Sequence, residues 1–260
     1  GGGPLRFTRE SLHRAAVKYG RAIAHTEVMG RAIASVCAGK SFEIEVSVDE
    51  TDLPTSPVEH LFFGLELRRR RVPNVVSLAP RFVGEFEKGI DFKGDLAAFE
   101  RQLAVHAAVA RFCGPYKISV HSGSDKFSIY PIVGRVCGEH LHVKTAGTSY
   151  LEALRTVARI EPGLFGEIAT YSRGRFDEDR ASYHISATPA LIAALPPYRG
   201  PAEEPVYLDE VTGRQLLHVT FGSVLTLGRD ARGRSFRDGI LDVLTQRADL
   251  HSELLERHFT

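Results

Sequence analysis

Short runs of β-branched and aliphatic residues alternate with stretches of helical spacing along most of the chain. That alternation restricts the fold more than any other feature. Runs near residues 42, 75, 117, 141, 183 and 216 read as strands. The first, Phe42-Glu43-Ile44-Glu45-Val46-Ser47-Val48, alternates with period two, the mark of a strand with two unlike faces. Residues 9–37 read as one long helix or a broken pair, weakened at Gly20 and Gly30. Ser56-Pro57 opens a helix to Arg70, serine as cap and proline at the first helical position. Asp95 caps another, and Ser149 caps one over 150–159. Further helices are expected around 127–136, 163–173 and 237–256. Strands and helices alternating in this way imply a parallel sheet with right-handed crossovers. No Gly-rich phosphate turn follows the first strand, which argues against an open doubly wound sheet. The expectation is a TIM-type (β/α)8 barrel, incomplete at its amino-terminal end with about six strands present. Residues 1–260 are then a single α/β-barrel domain.

The bulk numbers agree with an enzyme and exclude some alternatives. Hydrophobic residues make up 43% and charged residues 25% of the chain, as in ordinary globular proteins. A net charge of +1 gives no electrostatic case for nucleic acid or an anionic membrane. The one basic block, Arg68 to Arg71, closes a predicted helix, where cations complement the dipole. No apolar stretch approaches the ~18 residues of a spanning helix, and no signal peptide is visible, so the expected location is cytoplasmic. Cys37, Cys113 and Cys137 fall near predicted helix ends and suit small buried fillers rather than a disulfide framework. The chain opens Gly-Gly-Gly-Pro and its only methionine is Met29, which suggests a piece of a longer or processed product with a segment missing upstream.

Chemistry concentrates where strands meet loops. Lys117-Ile118-Ser119-Val120-His121 is an apolar strand ending in histidine, followed by the polar turn Ser122-Gly123-Ser124-Asp125-Lys126. His121 at that junction is a candidate metal ligand or general base. Glu43, Glu45, Ser47 and Asp49 share one face of the first strand, and His142 and Lys144 one face of the fourth. His184 and Ser186, then His218 and Thr220, repeat the pattern on the last two. A fully buried parallel strand should be continuously aliphatic, and inward charges are costly unless paired or bound to metal. A single strand histidine is more often a satisfied core residue. Several, with an acid and a lysine alongside, point instead to a divalent ion: Mn, Fe, Co, Ni or Zn.

Five segments carry a closer resemblance. Glu45-Val46-Ser47-Val48-Asp49-Glu50-Thr51-Asp52, Ser77-Leu78-Ala79-Pro80-Arg81-Phe82 and His121-Ser122-Gly123-Ser124-Asp125-Lys126-Phe127-Ser128 are similar to segments of the tagaturonate/fructuronate epimerases. So are His142-Val143-Lys144-Thr145-Ala146-Gly147-Thr148-Ser149-Tyr150 and His218-Val219-Thr220-Phe221-Gly222-Ser223-Val224. The resemblance implies a metal-dependent barrel enzyme, longer than this chain, that interconverts D-tagaturonate and D-fructuronate. These uronates differ at a carbon β to the ketone, whose C–H the carbonyl does not acidify. Retro-aldol cleavage, rotation of the aldehyde and re-addition is then the economical route, with the metal stabilising the enediolate. On this reading His121 and His218 are metal ligands, with His184 in reserve and His142 the weaker candidate. Glu45 is the acid/base group, its carboxyl raised by burial. Arg81, Ser122, Asp125, Lys126, Lys144 and His184 are the candidates to hold the uronate, Asp125 alternatively orienting the His121 ring. Two rivals share the pattern, a metal-dependent sugar isomerase or α-epimerase on a similar barrel and an inactive carbohydrate-binding fragment.

Overall fold

A computed structural model describes residues 4–145 and 147–260. The chain divides into two compact units. One comprises the residues up to Phe86 with Phe92–Lys144, the other Glu87–Asp91 with Thr145–Thr260.

The first unit holds strands β1 (Ile44–Val48), β2 (Val75–Pro80), β3 (Lys117–Val120) and β4 (Leu141–Val143). They form one sheet in the order β1-β2-β3-β4, every neighbouring pair parallel. Its helices are α1 (Arg9–Val36), α2 (Pro57–Arg69), α3 (Leu96–Cys113) and α4 (Tyr130–Cys137). Local chemistry sets their ends. The Ser56 hydroxyl and Glu59 carboxylate form a reciprocal capping box at α2, with Pro57 in the first turn. The Asp95 carboxylate accepts from the Ala97 and Ala98 amides at the start of α3. Helix α1 runs unbroken through both glycines. Gly30 is buried, and a Cβ there would sit 2.9 Å from Val72 Cγ1, so this glycine serves close packing rather than a break. The arginines closing α2 pair with acids, Arg69 with Glu66 and Arg70 with both Glu66 and Glu27.

The two faces of the sheet differ, as the period-two pattern requires. Ile44, Val46, Leu78, Ile118 and Val120 form a core with Tyr19 and Ile23 of α1, Phe63 and Leu67 of α2, Phe99 and Leu103 of α3, and Ile132 and Val133 of α4. Glu45, Ser77, Ser119 and His142 occupy the opposite face, on four successive strands. Registers pair Glu45 with Ser77 and Ser119 with His142.

The second unit contains helices α5 (Thr148–Ile160), α6 (Pro162–Asp179), α7 (Pro189–Ala194), α8 (Glu204–Leu208), α9 (Val211–Val219), α10 (Phe221–Thr226), α11 (Phe236–Gln246) and α12 (Ala248–Phe259). Leu151, Leu154 and Val157 of α5 meet Phe165 and Ile168 of α6 and Leu216 and Leu217 of α9 in its core. Among the described residues this unit has no strand, which corrects two sequence expectations. The run 215–221 is helical: all but one residue of Gly213–Val219 are buried, and a short, wholly buried apolar run has no periodicity to separate helix from strand. Tyr183 is extended, but the amides that follow it find side chains instead of a neighbouring strand. Ser186 N donates to Glu87 and Ala187 N to Gln215. The expected six strands are therefore four, and the sheet is open, with β1 and β4 at its edges. Ser149 is also no cap, since α5 begins a residue before it and Gly147 holds the cap position.

Candidate active site

Glu45 is the hub of the polar face. Its carboxylate accepts from Ser77 Oγ at 2.9 Å, is 2.7 Å from His121 Nε2, and is 2.6 Å from His142 Nδ1. His142 Nδ1 is also 2.9 Å from Ser119 Oγ. Strands β1 and β4 are separated by two others, so their backbones would stand roughly 14 Å apart in a flat sheet at ~4.8 Å per strand. A glutamate and a histidine side chain together cannot span that distance. Their direct contact therefore requires the sheet to be strongly concave on its polar face, the curvature a barrel wall has.

The electrostatics around His121 follow from this convergence. His121 is the first residue after β3, and its Nδ1 faces Asp49 Oδ1 at 3.3 Å while Nε2 faces Glu45. Burial opposes a charged imidazole there, but the Asp49 and Glu45 carboxylates outweigh it, and His121 titrates above the ordinary histidine value. Burial would raise Glu45, yet hydrogen bonds from His121, Ser119 and Ser77 overcome it and hold the carboxyl at about 2. Asp49 is likewise lowered against its burial by His121 and by Ser47, whose hydroxyl donates at 2.5 Å. This corrects the expectation of a raised Glu45. An uncompensated buried acid would be raised, whereas here Ser77 of β2, Ser119 of β3 and His121 directly after β3 compensate the charge.

The remaining candidates of the first unit have varied surroundings. Lys144 follows β4, is exposed, and makes no ion pair among the described residues. The Arg81 guanidinium donates to Thr51 O at 2.6 Å and lies 3.9 Å from Glu85. Ser122 and Asp125 both adopt left-handed backbone, with φ of 49° and 59°, conformations that cost energy in non-glycine residues and cluster at functional loops. Asp125 and Lys126 are buried, and the Lys126 ammonium donates to Ser124 O. The carboxylate against His121 Nδ1 is Asp49. Asp49, Ser77 and Ser119 received no role from the sequence, although they share the same period-two face.

His184 and His218 belong to the second unit. His184 is exposed in the irregular segment before α7. His218 lies buried at the end of α9. Two left-handed glycines make room for its side chain: a Cβ at Gly147 would fall 2.9 Å from His218 Cε1, and one at Gly89 3.2 Å from His218 Cβ. The segment carrying Gly89 is pinned by buried Glu87, whose carboxylate accepts from Ser186 N, Ser186 Oγ and Gln215 Nε2, and by Arg214 donating to Gly89 O.

Among the described residues, no three His, Cys, Asp or Glu side chains are disposed to hold an ion. The donor set beside Glu45 nevertheless fits a divalent metal in kind: one carboxylate, two imidazoles, and a second carboxylate behind one ring, the arrangement that orients metal-bound histidines. No helix is long and apolar enough to cross a membrane among the described residues.

Residues 2–260 match the family model described as UxaE, tagaturonate epimerase. The chain is 45% identical over 259 residues to the tagaturonate/fructuronate epimerase of Thermotoga maritima, an alignment covering 99% of this chain and 51% of that protein. Two solved structures of the fructuronate-tagaturonate epimerase UxaE from Cohnella laeviribosi, one native and one with two glycerols, superpose with TM-scores of 0.84 and 0.88. Each is 40% identical, covering 100% of this chain and 52% of that one. The chain thus spans about half the length of the relatives it matches. A resemblance first carried by five short segments extends over essentially every residue, and the chain belongs to the tagaturonate epimerase family.

Proposed function

We propose that the concave polar face of the sheet is part of the active site of an epimerase interconverting D-tagaturonate and D-fructuronate. The observation that carries this reading is the convergence of Ser77, His121 and His142 on one carboxylate, Glu45, from four parallel strands. Strand-borne polar residues on an inward-curving parallel sheet are how barrel enzymes build their sites, and the four strands are read as one arc of such a barrel. Epimerisation at a carbon β to a ketone calls for retro-aldol cleavage. The hydroxyl at that carbon gives up its proton, the bond to the α carbon breaks, and its electrons pass into the ketone to leave an enediolate. The α carbon then attacks the other face of the rotated aldehyde, and the new alkoxide recovers a proton.

The proposed cofactor is a divalent metal, which would act as a Lewis acid toward the ketone and enediolate oxygens. Glu45, His121 and His142 are the residues of this unit that would hold it. A carboxyl held at about 2 does not carry a proton near neutrality, which favours Glu45 as a ligand over its expected acid/base role. Asp49 would fix the His121 ring through Nδ1, and Ser77 and Ser119 would aim the Glu45 and His142 side chains. Lys144, at the carboxyl end of β4, is positioned to take the uronate carboxylate, with Arg81 and Ser122 at the ends of the neighbouring strands. Lys126 and Asp125 support the loop between β3 and α4. The oligomeric state is left open.

The test is turnover of D-fructuronate by the enzyme in D2O, read by NMR. Tagaturonate free of deuterium at its carbons, formed only with metal present, is expected. Deuterium at the α carbon would support an isomerase or α-epimerase instead, and tight uronate binding without turnover would support a binding fragment. Metal analysis of Glu45→Gln completes it: loss of metal makes Glu45 a ligand, whereas full metal content with turnover reduced ~10²-fold restores the acid/base role.

A further inference from the structure

The helical side of the first unit encloses a polar chain that the site described above does not use. His60 of α2 and His106 of α3 are fully buried, and their Nδ1 atoms lie 2.8 Å apart. His60 Nε2 is 2.9 Å from the Tyr116 hydroxyl. Gly64 permits that approach, since a Cβ there would fall 2.8 Å from the Tyr116 oxygen. His106 Nε2 makes no close hydrogen bond, but the Thr55 carbonyl lies near enough to favour a proton on this ring. Thr55 in turn clasps Arg81. Its amide donates to Arg81 O at 2.8 Å, and the Arg81 amide donates to Thr55 Oγ1 at 3.0 Å. Phe82, the next residue, meets the His106 ring edge to face, with centroids 5.6 Å apart. The chain thus ends at the loops that follow β1 and β2.

Donor counting fixes how this chain is wired. A neutral imidazole has one N–H, so only one of the facing Nδ1 atoms carries hydrogen. With it on His60, Nε2 of that ring accepts from Tyr116, and the His106 proton sits on Nε2, free to point to Thr55 O. The reverse arrangement leaves the His106 ring with no proton to offer that carbonyl. A further proton has no good place. On His106 Nδ1 it opposes the His60 N–H, and on His60 Nε2 it displaces the Tyr116 hydroxyl proton. Among the described residues no carboxylate acts on either ring; burial, the neighbouring ring and the Thr55 carbonyl do. Other ionisable groups nearby are occupied or neutral. Burial raises the Tyr116 phenol and the Cys113 thiol, the latter against Arg68. Lys18 and Glu59 pair at 3.3 Å, the Tyr19 hydroxyl is 2.8 Å from Thr55 Oγ1, and the Arg81 guanidinium donates to Thr51 O.

We propose that the His60–His106 pair is an acid-operated lock on the loops after β1 and β2. With both rings neutral the chain holds Thr55 and Arg81 in place, and a proton taken up by either ring breaks it and frees them. The lock belongs to the fold and does not depend on what the polar face of the sheet binds. Burial keeps both imidazoles below the ordinary histidine value, His106 at about 4. Because the folded value lies below that of the open state, the lock is complete above about pH 6.5 and is lost as pH falls towards 4. Glu45 and Asp49, both lowered, act at more acid pH, and the raised His121 acts in the opposite sense.

The experiment is amide hydrogen exchange of the chain with chelator present, read by NMR, with protection corrected for the intrinsic exchange rate at each pH. One ring moved from 6.5 to about 4 corresponds to a roughly 30-fold fall in protection of the Thr55 and Arg81 amides between about pH 7.5 and about pH 5. The Val133 amide, bonded to Ile129 O in α4, should keep its protection over the same range. The double variant His60→Gln/His106→Gln, which keeps side-chain donors and acceptors without a titrating ring, should lose the pH dependence. Ring 15N shifts of the wild type give a reading that needs no variant: hydrogen on His60 Nδ1 and His106 Nε2, with both rings still neutral at about pH 5.5. Protection at Thr55 and Arg81 that does not change with pH overturns the proposal, as does a parallel loss at Val133. So does the same fall in the double variant, or either ring titrating near the ordinary histidine value.

Discussion

Replacing Glu45 by Gln tests the electrostatics of the polar face. A carboxyl held at about 2 instead of 4.5 corresponds to roughly 3.4 kcal/mol of preferential stabilisation of the ionised form at neutral pH. The Glu45 side chain retains 27% of its surface in water, so screening reduces the expectation to about 2 kcal/mol. Because the folded value lies below the unfolded one, this contribution is fully present above pH 4.5. It is lost as pH falls from 4.5 towards 2. Gln preserves the shape and one acceptor oxygen, yet it removes the charge that His121 and His142 face and presents an amide donor to one of them. Urea unfolding in the presence of chelator, followed by far-UV circular dichroism, is the assay. At pH 7 the variant's midpoint should fall by about 1 M, taking m as ~2 kcal/mol/M for a unit of this size. At pH 3.5 the difference should be clearly smaller. Equal midpoints at pH 7, or a gap that widens on acidification, would refute the account of Glu45 as a stabilised anion.

Two further outcomes are expected. Asp49→Asn removes the carboxylate facing His121 Nδ1, so the His121 resonance should titrate at lower pH than in the wild type, and an unchanged titration by NMR would remove Asp49 from the site. In the second unit, Arg155 is buried and donates to Glu152, Glu204, Asp209 and Leu208 O. Arg155→Ala strands two buried acids and should cost about 3–5 kcal/mol in denaturant unfolding, whereas a loss below ~1 kcal/mol would show that Arg159 and water satisfy them.

The first unit was largely legible because its elements announce themselves locally. Ser56-Pro57 with Glu59 three residues on, and Asp95 before an apolar helical stripe, are caps whose partners lie within one turn. Glu45 and Ser47 alternate with buried Ile44 and Val46, so the polar face of β1 could be read without knowing any neighbour. The second unit was less legible where context decided the outcome. Leu216, Leu217 and Val219 are equally acceptable in a buried strand or a buried helix. Near 183, extended backbone is present, but its amides go to Glu87 and Gln215, residues remote in sequence, and no ladder forms. For the site, sequence periodicity named the face but not the contacts. It ranked His142 low for preceding Lys144 and lying deeper in its strand, yet His142 Nδ1 is 2.6 Å from the Glu45 carboxylate.

That contact also shows why a face is a firmer signal than any one histidine. A lone strand histidine is usually satisfied by its immediate neighbours. Here each of four consecutive parallel strands places a polar side chain on the same face, and on a flat sheet these would be separate solvated residues with ordinary acidities. Curvature converts the row into a cluster in which one carboxylate meets two imidazoles and two hydroxyls, and the acidities move apart: Glu45 and Asp49 down, His121 up. On the opposite face α1 to α4 pack on the aliphatic side of the strands. The helical layer and the polar cluster are therefore two consequences of one period-two pattern, and changes that flatten the sheet from the helical side should disperse the site without touching a polar residue.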